Sequence, residues 1–164
     1  MASFDLGKDQ IIDWIQRKFD KGATCLDVGA GDGKWSDLLG GYLVMDACEI
    51  YLPNIWENNL ERKYRNVYNA DIYELRYGYY DLIIFGDVIE HMGVKRAQAV
   101  IQYALPRCKD LIVAVPFLYA QGALYGNEHE RHVQDDLTPE IFAARYPQLK
   151  ILLNLGKYAY YNRR

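Results

Sequence analysis

The side chains able to bind or react are concentrated in a few short stretches. Cys25-Leu26-Asp27-Val28-Gly29-Ala30-Gly31-Asp32-Gly33 spaces three glycines at alternate positions behind a carboxylate. Glycine permits positive φ and lets a backbone approach a ligand with no side chain between them. Asp46, after Tyr42-Leu43-Val44-Met45, and Asp71, in Asn69-Ala70-Asp71-Ile72, close short segments that read as strands. A carboxylate so placed accepts hydrogen bonds from ligand hydroxyl or amino groups. Glu49, three residues beyond Asp46, competes for the first of these roles. Asp87, Glu90 and His91 follow the apolar run at 80–85, and Asn127-Glu128-His129-Glu130-Arg131-His132 holds two of the chain's three histidines. Imidazole changes charge near neutral pH, so a histidine in either stretch is able to take a proton from an attacking hydroxyl.

These groups need elements to aim them. Apolar residues at Leu6, Ile11, Ile12, Trp14, Ile15 and Phe19 approximate helical spacing, and Lys21-Gly22 ends that helix. Residues 24–28 read as a strand running into the glycine turn, and a helix over 34–39 is stopped by Gly40-Gly41. The pattern predicts further strands at 42–45, 66–69, 80–85 and 111–115. It predicts helices over 54–60, where Pro53 suits the first turn, and over 94–104. The runs at 80–85 and 111–115 are apolar enough to be buried on both faces. Residues 117–136 form a long polar and aromatic stretch without a period, and a loop of that length in a compact domain is usually functional or mobile. Thr138-Pro139-Glu140 starts a last helix, and strands at 150–153 and 157–161 flank a tight turn at Asn154-Leu155-Gly156.

That order predicts a doubly wound α/β fold. It has one mostly parallel, seven-stranded sheet with an antiparallel last strand and helices on both faces. A ligand then lies outside the carboxyl ends of the strands, where the glycine turn and the strand-end carboxylates meet.

With 51% apolar and 25% charged residues, the chain has the balance of a soluble globular protein. Its 164 residues suffice for one domain, 1–164, and not for two. No apolar run nears the ~20 residues that cross a bilayer, so no membrane insertion is expected. Residues 1–6 lack the basic start and apolar stretch of a signal peptide, which makes cytoplasmic the expected compartment. A net charge of −3 supplies no basic footprint and argues against nucleic acid as a partner. Cys25, Cys48 and Cys108 are odd in number and unpaired in spacing, against a disulfide framework or a zinc knuckle.

The glycine spacing discriminates among nucleotide-binding turns. A dinucleotide fingerprint needs its third glycine at position 34, which is lysine, so a nicotinamide enzyme fits poorly; no Gly-Lys-Ser/Thr follows, so there is no P-loop. Asp-x-Gly-x-Gly-x-Gly resembles motif I of the class I (Rossmann-like) S-adenosylmethionine-dependent methyltransferases. The segment from Tyr80 to Met92, a strand followed by Asp87-Val88-Ile89-Glu90-His91, is similar to a signature of small-molecule members of that class. Together the resemblance covers roughly residues 22–116.

The resemblance implies S-adenosylmethionine as cofactor. It implies contacts from Gly29, Ala30, Gly31 and Gly33, with Asp27 holding the ammonium or orienting the glycine backbone. Asp46, with Ala47 beside it, would grip the ribose hydroxyls. Asp71 and the Ile72 amide would face adenine, and the backbone around Gly86 and Asp87 would pass the methionine portion.

Glu90 and His91 admit three readings: a helix-start pair orienting a loop, a general base, or part of a metal site. The third follows some relatives that hold a divalent ion with Glu-x-x-Glu-His. Asp87, Glu90 and His91 repeat that spacing, and with a distant histidine they would suit magnesium or manganese. His129 and His132, three apart, would share one face of a helical turn as proton acceptor or metal completion, or belong to a solvated charged turn. Phe117, Tyr119 and Tyr125 would wall an acceptor pocket, with Gln10 and Trp14 covering the other side.

The expected catalytic residues are thus His91, His132 and Glu90. The expected reaction is O-methylation of a small-molecule or glycan acceptor by in-line displacement on the sulfonium methyl. The alternatives are a metal-dependent RNA 2′-O-methyltransferase and an inactive S-adenosylmethionine-binding module.

Overall fold

The structure, a computed structural model, describes residues 5–164; residues 1–4, part of the amino-terminal segment considered above, lie outside the described residues. Seven strands form one sheet: β1 (Thr24–Val28), β2 (Val44–Glu49), β3 (Val67–Asn69), β4 (Tyr80–Gly86), β5 (Cys108–Pro116), β6 (Leu149–Asn154) and β7 (Tyr158–Arg163). Their order is β3-β2-β1-β4-β5-β7-β6. The pairs from β3 through β5 are parallel, and β7 runs antiparallel to both β5 and β6. The doubly wound α/β architecture with its antiparallel last strand is the one the element order predicts.

The helices are α1 (Lys8–Lys18), α2 (Lys34–Leu39), α3 (Leu52–Glu57), α4 (Leu60–Lys63), α5 (Val94–Ala104) and α6 (Pro139–Arg145). Period-two alternation in the central strands feeds both faces of the sheet. Leu82 and Ile84 of β4 join Ile11, Ile15, Leu39, Ile55 and Leu60 from α1 to α4. Ile83 and Phe85 face the other way, onto Ala97, Val100 and Ile101 of α5 and Phe142 of α6. A strand that must satisfy helices on both sides has no polar face, which explains the continuous apolar runs at 80–85 and 111–115. Thr138 caps α6 as expected, accepting the Ile141 amide at 3.2 Å.

Most boundaries shift by a few residues from the sequence expectation; two of the differences change the architecture, and one moves the site. The single helix expected over 54–60 is split into α3 and α4, because Asn59 turns left-handed (φ 52°) between them. The strand expected at 42–45 instead begins at Val44 and continues to Glu49. Ala47 and Cys48 pair in register with Asp27 and Val28 of β1, so the apolar, hydrogen-bonded run extends past the first carboxylate. Asp46 therefore sits inside the strand and Glu49 at its end.

Candidate active site

The carboxyl ends of β1, β2 and β4, and the segments that follow β3 and β4, surround a cavity of about 350 Å³. It lies where the strand order reverses between β1 and β4, the place an open α/β sheet reserves for ligands. Gly29 and Gly31, both at positive φ (67° and 55°), form its floor. At Gly29 a Cβ would lie 2.6 Å from Val88 Cγ2, so this turn excludes any larger residue on packing as well as on φ.

Glu49 lines the cavity at the end of β2. One carboxylate oxygen accepts the Gly31 amide and the other the Tyr51 amide, each at 2.8 Å. The carboxylate is thereby fixed against the glycine turn while keeping lone pairs for a ligand. Asp71, Ile72, Ile50 and Ala70 line the side below β3. Asp71 Oδ1 accepts the Tyr73 amide at 2.9 Å, and the other oxygen is paired with Arg96 of α5, which also lines the cavity.

Beyond β4 the backbone turns sharply. Asp87 adopts φ 57°, a left-handed conformation disfavoured for residues other than glycine. Its carboxylate accepts the Tyr158 hydroxyl of β7 at 2.9 Å. A short 3-10 turn, Ile89–His91, follows. Glu90 is fully buried, lines the cavity, and neither carboxylate oxygen has a hydrogen-bond partner among the described residues. Burial, reinforced by the Asp87 charge, raises its carboxyl well above the usual carboxylate range.

His91 and His132 meet edge to face with ring centroids 4.7 Å apart. His91 Nδ1 lies 3.2 Å from the Arg131 carbonyl and His132 Nδ1 lies 2.7 Å from the Tyr119 carbonyl. Burial lowers both imidazole pKa values, with His132 adding to the effect at His91, so both rings favour the neutral form.

The long loop is fastened to this turn. The Glu90 carbonyl accepts the amides of Val133 and Gln134 at 2.8 and 2.9 Å. The Gln134 side-chain amide donates to the Ile89 and Met92 carbonyls at 2.8 and 3.0 Å. Gln121 closes the loop on itself, donating to the Glu130 carbonyl at 2.6 Å.

Of the residues expected from sequence, the structure brings Gly29, Gly31, Asp71, Ile72, Asp87, Glu90, His91 and His132 around one cavity. Others fall outside its lining. Asp46 is buried in mid-strand, where Arg65 grips it through two nitrogens at 2.7 and 2.9 Å. The Tyr80 hydroxyl and the Asn66 amide add bonds of 2.7 and 3.0 Å. Burial pushes the Asp46 carboxyl upward, yet these donors outweigh it and hold it below its ordinary value. Ala47 is buried in the core behind the strand end. Asp27 is buried in β1 and accepts the Tyr64 hydroxyl at 2.5 Å; burial raises its pKa to about 7. Ala30 packs into the core, Gly33 begins α2 against Lys63, and Gly86 gives room to Trp35 Nε1, 2.6 Å from where a Cβ would stand.

The acceptor side also differs. Neither Phe117, Tyr119 nor Tyr125 lines the cavity, and neither do Gln10 and Trp14. The loop instead contributes Gln121, Asn127, Glu128, His129, Glu130 and His132. A 3-10 turn at Glu128–Glu130 ends before His132, so His129 and His132 do not share a helical face. The main residue that sequence reasoning ranked second was Glu49; the signal present was the uninterrupted Ala47-Cys48 pair after Asp46. Arg96 had no local signal at all.

No protein-family model matches the chain, and no curated protein sequence matches it. Solved structures do. An S-adenosylmethionine-dependent methyltransferase from Clostridium acetobutylicum ATCC 824 superposes with a TM-score of 0.73 at 13% identity, covering 98% of this chain and 91% of the other. The 1,6-didemethyltoxoflavin-N1-methyltransferase of Burkholderia thailandensis, solved with bound 1,6-didemethyltoxoflavin and S-adenosylhomocysteine, gives 0.70 at 17% identity over 98% and 78% of the two chains. Magnesium protoporphyrin IX methyltransferase from Synechocystis PCC 6803, with bound S-adenosylmethionine, gives 0.62 at 18% identity over 94% and 76%. The fold is that of the class I, Rossmann-like methyltransferases.

Proposed function

We propose that this chain is an S-adenosylmethionine-dependent methyltransferase that methylates a hydroxyl of a small-molecule or glycan acceptor. The observation that carries the reading is the Glu49 carboxylate, locked to the Gly31 amide at 2.8 Å on the wall of the cavity. A ribose with two adjacent hydroxyls needs an acceptor of this kind, charged, immobile and beside a backbone that nothing shields. The sugar grip expected of Asp46 therefore passes to Glu49, because only the latter stands where the strand ends. Asp71 and Ile72 are suited to the adenine edge, and Gly29 and Gly31 leave room for the methionine portion. Asp27 and Gly33 support the turn from behind.

Beyond the glycine turn, Glu90, His91, His132 and Gln121 give the lining polar groups. This lining fits a hydroxylated acceptor better than an apolar one. Methyl transfer is an in-line displacement: an acceptor oxygen attacks the methyl carbon, and the carbon–sulfur electron pair stays on sulfur. The cofactor brings the activated group, so the chain's work is alignment, exclusion of water and removal of the hydroxyl proton. The Glu90–His91–His132 cluster is the group that acts on that hydroxyl.

Calorimetric titration with S-adenosylhomocysteine, followed by transfer of labelled methyl to a panel of hydroxylated metabolites and oligosaccharides, tests the proposal. Saturable 1:1 binding with transfer to oxygen is expected. Absence of binding removes the reading, and binding without transfer to any acceptor favours a cofactor-binding module.

A further inference from the structure

Glu90, His91 and His132 present a chemical anomaly that methyl transfer alone does not explain. A fully buried carboxylate has both oxygens without a hydrogen-bond partner among the described residues. A buried carboxyl group with no hydrogen-bond partner is costly whether charged or neutral, and native structures rarely keep one without an occupant. One ligand atom from each of the three side chains lies within 4.8 Å of the others.

From this placement we infer that Glu90, His91 and His132 bind one divalent transition-metal ion of the zinc type. The imidazoles are set for it. Each directs Nδ1 at a backbone carbonyl, Arg131 for His91 and Tyr119 for His132. A carbonyl only accepts, so Nδ1 carries the hydrogen and Nε2 keeps the lone pair, the arrangement by which outer partners orient metal-bound histidines. A tetrahedral ion about 2.0–2.2 Å from each donor needs the donors about 3.3–3.5 Å apart. The present donors lie within 4.8 Å of one another, so the cluster has to tighten by about 1 Å on binding.

The donor set decides the class of ion. Asp87, the carboxylate that would have made an oxygen-rich site, is held by the Tyr158 hydroxyl and is not part of the cluster. What remains is two nitrogens and one carboxylate. That combination suits zinc and its neighbours rather than magnesium, and three protein ligands leave a fourth position open, as in catalytic rather than structural sites. All three residues line the cavity, so the open position faces its contents. The ion also joins two separate segments, the turn after β4 and the loop that carries His132.

The role of this ion rests on the function proposed above. In the open position it holds an acceptor hydroxyl and acidifies it. The proton leaves to solvent, the oxygen takes the methyl carbon, and the sulfonium becomes a neutral thioether.

The test uses the full chain freed of metal by chelator dialysis, titrated with zinc chloride by calorimetry and with cobalt(II) by visible absorption. One zinc per chain is expected, with a cobalt spectrum of four- or five-coordinate type. Glu90→Gln and His132→Ala should each weaken zinc binding at least about 100-fold, since even loss of an outer partner costs 10- to 100-fold. His129→Ala should leave it unchanged, because that ring is outside the cluster. Circular dichroism confirms that each variant is folded, and Glu90→Gln keeps the side chain's shape. Absence of saturable zinc binding, or wild-type zinc affinity in either Glu90→Gln or His132→Ala, overturns the inference. A parallel titration of the metal-free chain with S-adenosylhomocysteine separates the two proposals. Nucleoside binding without zinc binding removes the ion alone, and zinc binding without nucleoside binding removes the methyl donor alone.

Discussion

Glu49 and Asp46 are carboxylates three residues apart on one strand, and their environments assign them different work. Glu49 accepts two backbone amides and faces the cavity. Asp46 accepts from Arg65, Asn66 and Tyr80 inside the sheet. Hydrogen bonds to a charged group are each worth about 1.5–3 kcal/mol, so Glu49→Ala should weaken S-adenosylhomocysteine binding roughly 10- to 100-fold by calorimetry. It should also lower stability by about 1–3 kcal/mol, because the Gly31 and Tyr51 amides lose their acceptor. Asp46→Ala should lower stability alone. Breaking a buried ion pair costs about 3–5 kcal/mol, and half-exposed Arg65 moves this to the low end, about 3 kcal/mol in a urea melt, with affinity of the folded fraction preserved.

Asp27 offers a pH test at the same scale. Its pKa rises from 3.8 to about 7 on folding because burial penalises the charge. Across that window the folded chain keeps a proton that the unfolded chain releases, so stability is fullest below the unfolded value and declines as pH rises to the folded one. The decline is on the order of 4 kcal/mol. Asp27→Asn, which can still accept from Tyr64, should flatten this part of the stability–pH curve. An unchanged slope would show that another group produces it.

At the scale of elements, the loop from Phe117 to Gln134 carries the proposed acceptor wall and depends on few attachments. Gln134 is buried and bonds through one amide to the Ile89 and Met92 carbonyls, with Tyr146 also within 2.8 Å. Loop ends held by so few bonds open at low free energy when one is removed. Gln134→Ala should therefore speed limited proteolysis near exposed Tyr125 several-fold. It should also lower turnover more than nucleoside affinity, because the cofactor wall is built on strands and the acceptor wall on this loop. Equal protease resistance in variant and wild type would show that the loop is anchored elsewhere.

For the whole molecule, the cavity is assembled from the ends of strands that neighbour one another only once the sheet has formed. A ligand there binds the folded chain alone. At 100 times its dissociation constant it adds about 2.7 kcal/mol of stability, which for a chain of 164 residues corresponds to a rise in Tm of about 5–11 °C. A melt with S-adenosylhomocysteine should show this rise, and adenosine alone should give less. Among the described residues no helix is long and apolar enough to cross a membrane.

Sequence alone determined the order of elements, the doubly wound sheet and the glycine turn, because each rests on local pattern: period-two or period-3.6 burial, capping chemistry at Thr138, and a conformation that glycine adopts with least strain. It also singled out Glu90, His91 and His132 as candidates, which the structure brings together at one cavity. Only the tertiary structure put Glu49 rather than Asp46 on the cavity wall, since the extent of β2 depends on its pairing with β1 and on donors from Arg65 and Tyr80 that no local pattern encodes. Tertiary structure likewise withdrew Asp87 from the histidines by giving it Tyr158, and set His132 of the loop against His91 of the turn, forty-one residues earlier. A strand's end and a long-range contact are properties of the packed chain, settled by which partner satisfies a buried charge.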